Sequence, residues 1–162
     1  MKSGPAPAAV LLLALTAGCG AEAPAPVAAR SYADPGVVIG SGHEMRYGIM
    51  PVADIPASVL KSYGLTGSAG GLLVNVSVLQ RDAAGRTSVG VEAVVTGSMR
   101  RLTGQDLRLE FRSIRTGEVV SYLALAPMHD GEPVTFLLEA RPARSPAGMT
   151  AKVTRQFERT RS

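Results

Sequence analysis

An all-β sandwich is the fold class this sequence predicts, and three observations predict it. Gly71 to Leu79 places Leu72, Val74, Val76 and Val78 on one face and Asn75 and Ser77 on the other, the period-two pattern of a half-buried strand. Short alternating runs then recur between turn signals at intervals of roughly ten to fourteen residues. The chain is also 46% hydrophobic with only 4% aromatic residues and no Trp, so its core must be built from Val, Leu, Ala, Ile and Met. That suits strands better than a ligand cage of aromatic rings. The expectation is an antiparallel β-sandwich of immunoglobulin-like or fibronectin-like kind, with about seven strands and one short helix. A small closed β-barrel is the alternative.

In order, His43 to Met50 is a first strand, with Met45, Tyr47 and Ile49 on one side, stopping at Pro51. A short helix follows, with Asp54 as N-cap, Pro56 in the first turn and Gly64 closing the end in a left-handed conformation. Its Val59, Leu60 and Tyr63 would cover one end of the sheet. After the central strand, Asp82 to Gly85 turns into Thr87–Met99, where Val89, Val91, Ala93 and Val95 face inward. Arg100 to Gly104 turns again, and Gln105–Arg115 alternates with Leu107, Leu109 and Phe111 inward and Arg108, Glu110 and Arg112 outward. Val119–Ala126 is nearly all apolar and reads as a strand buried on both faces. Val134–Arg141 and Met149–Glu158 complete the set, joined by the Pro-rich bend from Pro142 to Gly148.

The N-terminus predicts export. Lys2 supplies a positive start and Ala8 to Leu15 an apolar core of signal-peptide length, far short of the roughly 20 residues a spanning helix needs. Leu15-Thr-Ala-Gly-Cys19 resembles the bacterial lipobox, with Thr16 departing from the usual Leu. The resemblance implies a signal peptide at 1–18, a mature chain beginning at Cys19, and acylation of that cysteine. Cys19 is the lone cysteine, so no thiol would remain for a disulfide. Two or more acyl chains give stable attachment where one does not. Signal-peptidase cleavage to a soluble periplasmic protein competes with this reading, but Pro24 follows the Ala21-Glu22-Ala23 site and disfavours the cut. Gly20 rather than Asp after the cysteine points to the outer membrane. Residues 19–36, rich in Ala and Pro, form a semi-extended linker, and 37–162 a single domain.

The formal charge of +4 and a pI near 9.6 are mildly basic, with Arg far outnumbering Lys. Export removes the protein from cytoplasmic nucleic acid, leaving anionic lipid headgroups or another envelope protein as the expected partners. Catalytic motifs are missing. His43 and His129 are the only imidazoles and no further His or Cys of the domain could complete a zinc set, so neither a metal nor a cofactor is expected. No Gly-x-Ser-x-Gly elbow is present, and Glu110, Glu118, Asp130 and Glu132 fall at outward or turn positions. Two sets remain as candidate interaction residues. One is the polar pair Asn75 and Ser77, which can also serve a structural role. The other is the arginine set Arg100, Arg101, Arg108, Arg112 and Arg115 around one hairpin, suited to bidentate contacts with acidic groups.

The succession Tyr47, Ile55–Leu65, Asn75–Val78, Gly97, Leu102–Gln105, Phe111–Ile114, Tyr122 and Gln156-Phe157 resembles the bacterial family known as domain of unknown function 4426. Arg46 stands where that family more usually has His, and Thr66–Ser68 lacks an expected basic residue. The resemblance spans about residues 44–158 and implies a small exported protein; it carries over no catalytic residue. Sequence thus points to a lipid-anchored, non-enzymatic binding or accessory module on the periplasmic side of the envelope. The alternative is a periplasmic carrier or hydrolase with a pocket between its sheets.

Overall fold

The computed structural model describes residues 35–65 and 70–158, so Cys19, the signal segment and all but the last residues of the linker lie outside the described residues. In chain order the strands are β1 (Gly36–Gly40), β2 (His43–Pro51), β3 (Gly71–Arg81), β4 (Thr87–Gly90), β5 (Ala93–Arg100), β6 (Asp106–Arg108), β7 (Arg112–Thr116), β8 (Val119–Pro127), β9 (Pro133–Pro142) and β10 (Met149–Gln156). One sheet runs β1-β2-β3-β8-β7, with β4 paired to the far end of β3; the other runs β10-β9-β5-β6. Every strand pair within them is antiparallel. Neither sheet closes on itself, so the barrel alternative falls and the sandwich stands.

The strand expected to organise the core does so. Leu72, Val74, Val76 and Val78 of β3 are all fully buried, with β2 on one side and β8 on the other. Facing them from the second sheet are Met99, Val134, Phe136, Leu138 and Ala140, and Phe136 is the largest wholly buried side chain. Removing this much aliphatic surface from water is the main force holding the two layers together.

Three expectations change. β1 was not anticipated as a strand: Ser41 and Gly42, both at positive φ, make a two-residue turn that folds Gly36–Gly40 back onto β2. Thr87–Met99 is two strands, because the chain leaves the first sheet at Gly90 and joins the second at Ala93. Gln105–Arg115 is likewise divided, β6 pairing with β5 and β7 with β8. Leu109 and Phe111, between the two, pack into the common core as the chain crosses. The expected alternation holds at Val91, Ala93, Val95, Leu109 and Phe111, which pack into the core shared by the two sheets, whereas Val89 and Leu107, expected inward, are 44% and 40% exposed.

Gly90 makes the first crossing possible. A β-carbon there would lie 2.7 Å from the Glu118 carbonyl oxygen and 2.8 Å from the Val120 nitrogen, inside backbone that cannot give way. Around it the backbone N–H of Gly90 donates to the Glu118 carbonyl (2.9 Å) and that of Val91 to the Val78 carbonyl (2.8 Å). The Ala93 N–H donates to the Tyr122 hydroxyl oxygen at 2.7 Å. The chain therefore changes layers without abandoning its backbone donors.

The helix is shorter than expected. A 3-10 turn spans Val52–Asp54 and α1 spans Ala57–Ser62, with Pro56 rather than Asp54 at the N-cap. Gly64 does adopt the left-handed conformation (φ 63°). Leu60 and Tyr63 pack with Val52, Leu65, Leu73 and Leu123 in a small second cluster, whereas Val59 is exposed. This lid covers Leu123, so β8 is buried on both faces there; Val119 and Leu125 nearer its ends are exposed.

Candidate functional site

The arginines expected to act together are parted by the second crossing. Arg108 lies on β6 in one sheet and Arg112 on β7 in the other. Arg100 closes a bidentate pair with Asp106, both contacts at 2.8 Å, and Arg101 donates to Glu132 at 2.8 Å. These hydrogen bonds hold the Asp106 and Glu132 carboxyls below their ordinary range and raise both guanidinium groups. Arg112 donates to the Gly64 carbonyl at 3.3 Å and so fastens the helix end to β7. Arg115 meets Glu92 at 2.6 Å. Arg108 has no ion-pair partner among the described residues. What sequence proximity groups into one basic patch is, in space, three neutralised pairs, a structural tie and one free cation.

Asn75 and Ser77 do share the outer face of β3, as the alternation requires. Asn75 stands in register between Gly48 and Leu123, and Ser77 between Arg46 and Ser121. The Asn75 Oδ1 is buried with no hydrogen-bond partner among the described residues. Its cross-strand neighbour Leu123 belongs to the small cluster under the lid, so Asn75 sits at the border of that cluster.

One charged group went unanticipated. Glu44 is 5% exposed and is the one buried charged residue among the described residues. Arg46, two positions on along the same face of β2, approaches it at 2.6 Å, and Arg81 from β3 at 2.8 Å. The Arg46 hydrogen bond, with that of Arg81, draws the Glu44 carboxyl below its ordinary value against the opposing effect of burial. Arg46 also reaches the Thr87 hydroxyl at 3.3 Å, so the triad ties β2, β3 and β4. An acid and a base at i and i+2 on a strand share a face, and that spacing was the available signal.

A cleft of about 400 Å³ opens where β7 leaves the second sheet uncovered. Ser113 and Arg115 of β7, Val120 and Tyr122 of β8, and Glu92 and Ala93 of the first crossing line it. The ladder between β5 and β6 covers only Ser98–Arg100, so nearer Ala93 that side of β5 carries no strand. The Arg115–Glu92 pair spans the opening between the two sheets and is mostly exposed. A second, smaller hollow of about 210 Å³ lies between Leu65, Glu110, Arg112, Leu123 and Leu125.

His129 lines neither hollow. The His43 Nδ1 pairs with the Ser41 carbonyl at 2.9 Å, within the β1–β2 turn. Among the described residues no group of three or more His, Cys, Asp or Glu side chains could hold a metal ion. No described helix is long and apolar enough to cross a membrane.

Comparison with known proteins agrees with this architecture. The sequence profile of the family described as Domain of unknown function (DUF4426) matches residues 40–158. The fold is similar to the crystal structure of a DUF4426 family protein from Pseudomonas aeruginosa PAO1, with a TM-score of 0.65 and 23% sequence identity. That similarity covers 78% of this chain and 97% of the other. No curated protein matches the sequence.

Proposed function

The chain belongs to the DUF4426 family, and from that premise we propose that it is a lipid-anchored, non-enzymatic binding or accessory module of the bacterial envelope. The observation that carries the reading is the junction Leu15-Thr-Ala-Gly-Cys19, directly behind an apolar run of export length and holding the only cysteine of the chain. A segment rich in Ala and Pro then leads to the domain. The domain's charges support the binding half of the reading. Of the carboxylates weighed for chemistry, Glu132 is engaged by Arg101, and the sandwich offers strand edges and loops as a means of recognition. Labelled palmitate should enter the wild-type protein and be absent from Cys19→Ser. Equal labelling of the two, or recovery of the wild type in a soluble fraction, would refute the anchor.

A specific observation favours a second reading, a carrier of a small polar ligand. The cleft at the β7 edge brings the Tyr122 and Ser113 hydroxyls beside the Arg115–Glu92 pair. Under this reading Arg115→Ala abolishes co-purification of a small molecule detectable by mass spectrometry of the denatured wild-type protein. Wild-type protein that releases none returns the cleft to a purely structural role.

A further inference from the structure

From unspent backbone groups on two strands that border one cleft, we infer that the hollow beside β7 receives an extended peptide bearing an acidic side chain. The inference rests on the reading of the domain as a binding module and gives that reading a site. On β5 the register fixes which way each backbone group points. The Glu92 carbonyl accepts from the Ala143 N–H at 2.8 Å, so by alternation Val94 and Thr96 also spend their groups on the β9 side. The Ala93 N–H and the Gly97 carbonyl turn the other way, to the Tyr122 hydroxyl oxygen (2.7 Å) and the Leu109 N–H (2.9 Å). Val95 lies between them. Its N–H and C=O meet no partner among the described residues, since the ladder between β5 and β6 covers only Ser98–Arg100. β7 presents a second strip of the same kind. Its two-residue turn to β8 closes at Thr116 and Val119, so Ile114 and Arg112 bond with Thr116 to β8, and Ser113 and Arg115 direct their backbone groups away from it.

Ala93, Ser113 and Arg115 line the same cleft of about 400 Å³, with Val95 two residues further along that edge of β5. A backbone lying there in line with β6 continues the interrupted ladder, and an N–H beside a C=O at strand spacing is what an extended polypeptide matches. The side chains indicate its chemistry. Register sets Ser113 beside Tyr122 and Arg115 beside Val120 on the inner face. The Tyr122 oxygen already accepts from Ala93, so its O–H is left to donate. The Ser113 hydroxyl makes no hydrogen bond among the described residues, and Arg115 spends one guanidinium nitrogen on Glu92. Donors therefore outnumber acceptors in the cleft, and a carboxylate is the group that uses them. Arg115 and Glu92 are 55% and 70% exposed, so exchanging Glu92 for a carboxylate of the peptide costs little.

A library of random heptapeptides displayed on phage, selected on the purified full chain, supplies the probe. Enriched peptides should contain Asp or Glu. By fluorescence anisotropy a labelled copy should bind Arg115→Gln about tenfold more weakly, and Glu92→Gln more tightly, than wild type. Ser113→Trp, at an exposed position, fills the cleft and should abolish binding with an unchanged circular dichroism spectrum. In the unsubstituted chain the Val95 amide proton should gain exchange protection when peptide binds, while that of Val94, paired with β9, should not change. The inference is overturned by any of four results: no enriched peptide, binding that survives Arg115→Gln and Ser113→Trp, equal affinity for N-acetylglutamate amide, or Val95 protection that appears with protein concentration alone. These measurements are made in solution, so their failure leaves the palmitate result standing, and peptide binding by an unlabelled protein leaves the site standing without the anchor.

Discussion

Replacing Tyr122 by Phe removes one oxygen and keeps the ring, and the structure allows the cost to be worked out. The ring is 8% exposed and belongs to the main core, so its burial is retained in the variant. What is lost is the acceptor, at 2.7 Å, for the Ala93 backbone N–H at the point where the chain enters the second sheet. An abandoned buried donor costs about 1–3 kcal/mol. Ala93 also lines the open cleft, where water can replace part of the bond, which places the loss near the lower end, about 1–1.5 kcal/mol. For a domain of this size the midpoint of thermal unfolding should drop by roughly 3–6 °C. Urea unfolding followed by circular dichroism measures it, since the chain has no Trp to report. Tyr63→Phe is the control: its hydroxyl makes no hydrogen bond among the described residues, so its stability should stay within about 0.5 kcal/mol of wild type. If Tyr122→Phe is equally silent, the hydroxyl does not secure the crossing and the reasoning fails.

Gly90→Ala should be worse than Tyr122→Phe, because the added carbon meets fixed backbone of β8 rather than a movable side chain; poor soluble yield or a midpoint below that of Tyr122→Phe is the expected result. Phe136→Ala, at a fully buried position, should cost about 3–5 kcal/mol in the same urea assay. Acid should weaken the fold through Glu44. Its folded value lies below the ordinary 4.5, so its contribution is complete above that pH and disappears as pH falls through the folded value. Glu44→Gln should therefore lower stability at neutral pH and flatten its decline below pH 4.5, and parallel acid titrations of the two proteins would show otherwise if Glu44 is not the group involved.

How much of this was legible in the sequence depends on what alternation encodes. It distinguishes inside from outside, and on β3 it placed the core residues Leu72, Val74, Val76 and Val78 correctly. It does not say which sheet a strand joins. Leu107, Leu109 and Phe111 keep one parity straight through the passage from β6 to β7, so two strands read as one, and the arginines along them read as one patch. The signal for the first crossing was a single glycine, Gly90, whose demand for close backbone approach needs a neighbour that only the fold supplies. Glu44 and Arg46 were on one face by spacing alone. That Arg81 completes their triad follows from strand register, a property of the pairing rather than of either segment. β1 was overlooked because three aliphatic residues between two glycines resemble the end of a linker.

The three passages between layers bear on how this molecule comes apart. Each sheet is threaded into the other at Gly90–Ala93, again at Leu109–Phe111 and a third time between β8 and β9, like fabric stitched along three seams. Neither layer can peel away while its companion stays whole, since pulling out β5 or β7 drags a strand from both. Loss of structure should accordingly be all-or-none, with amide protons of β3 and β9 exchanging at a single common rate limit set by complete unravelling.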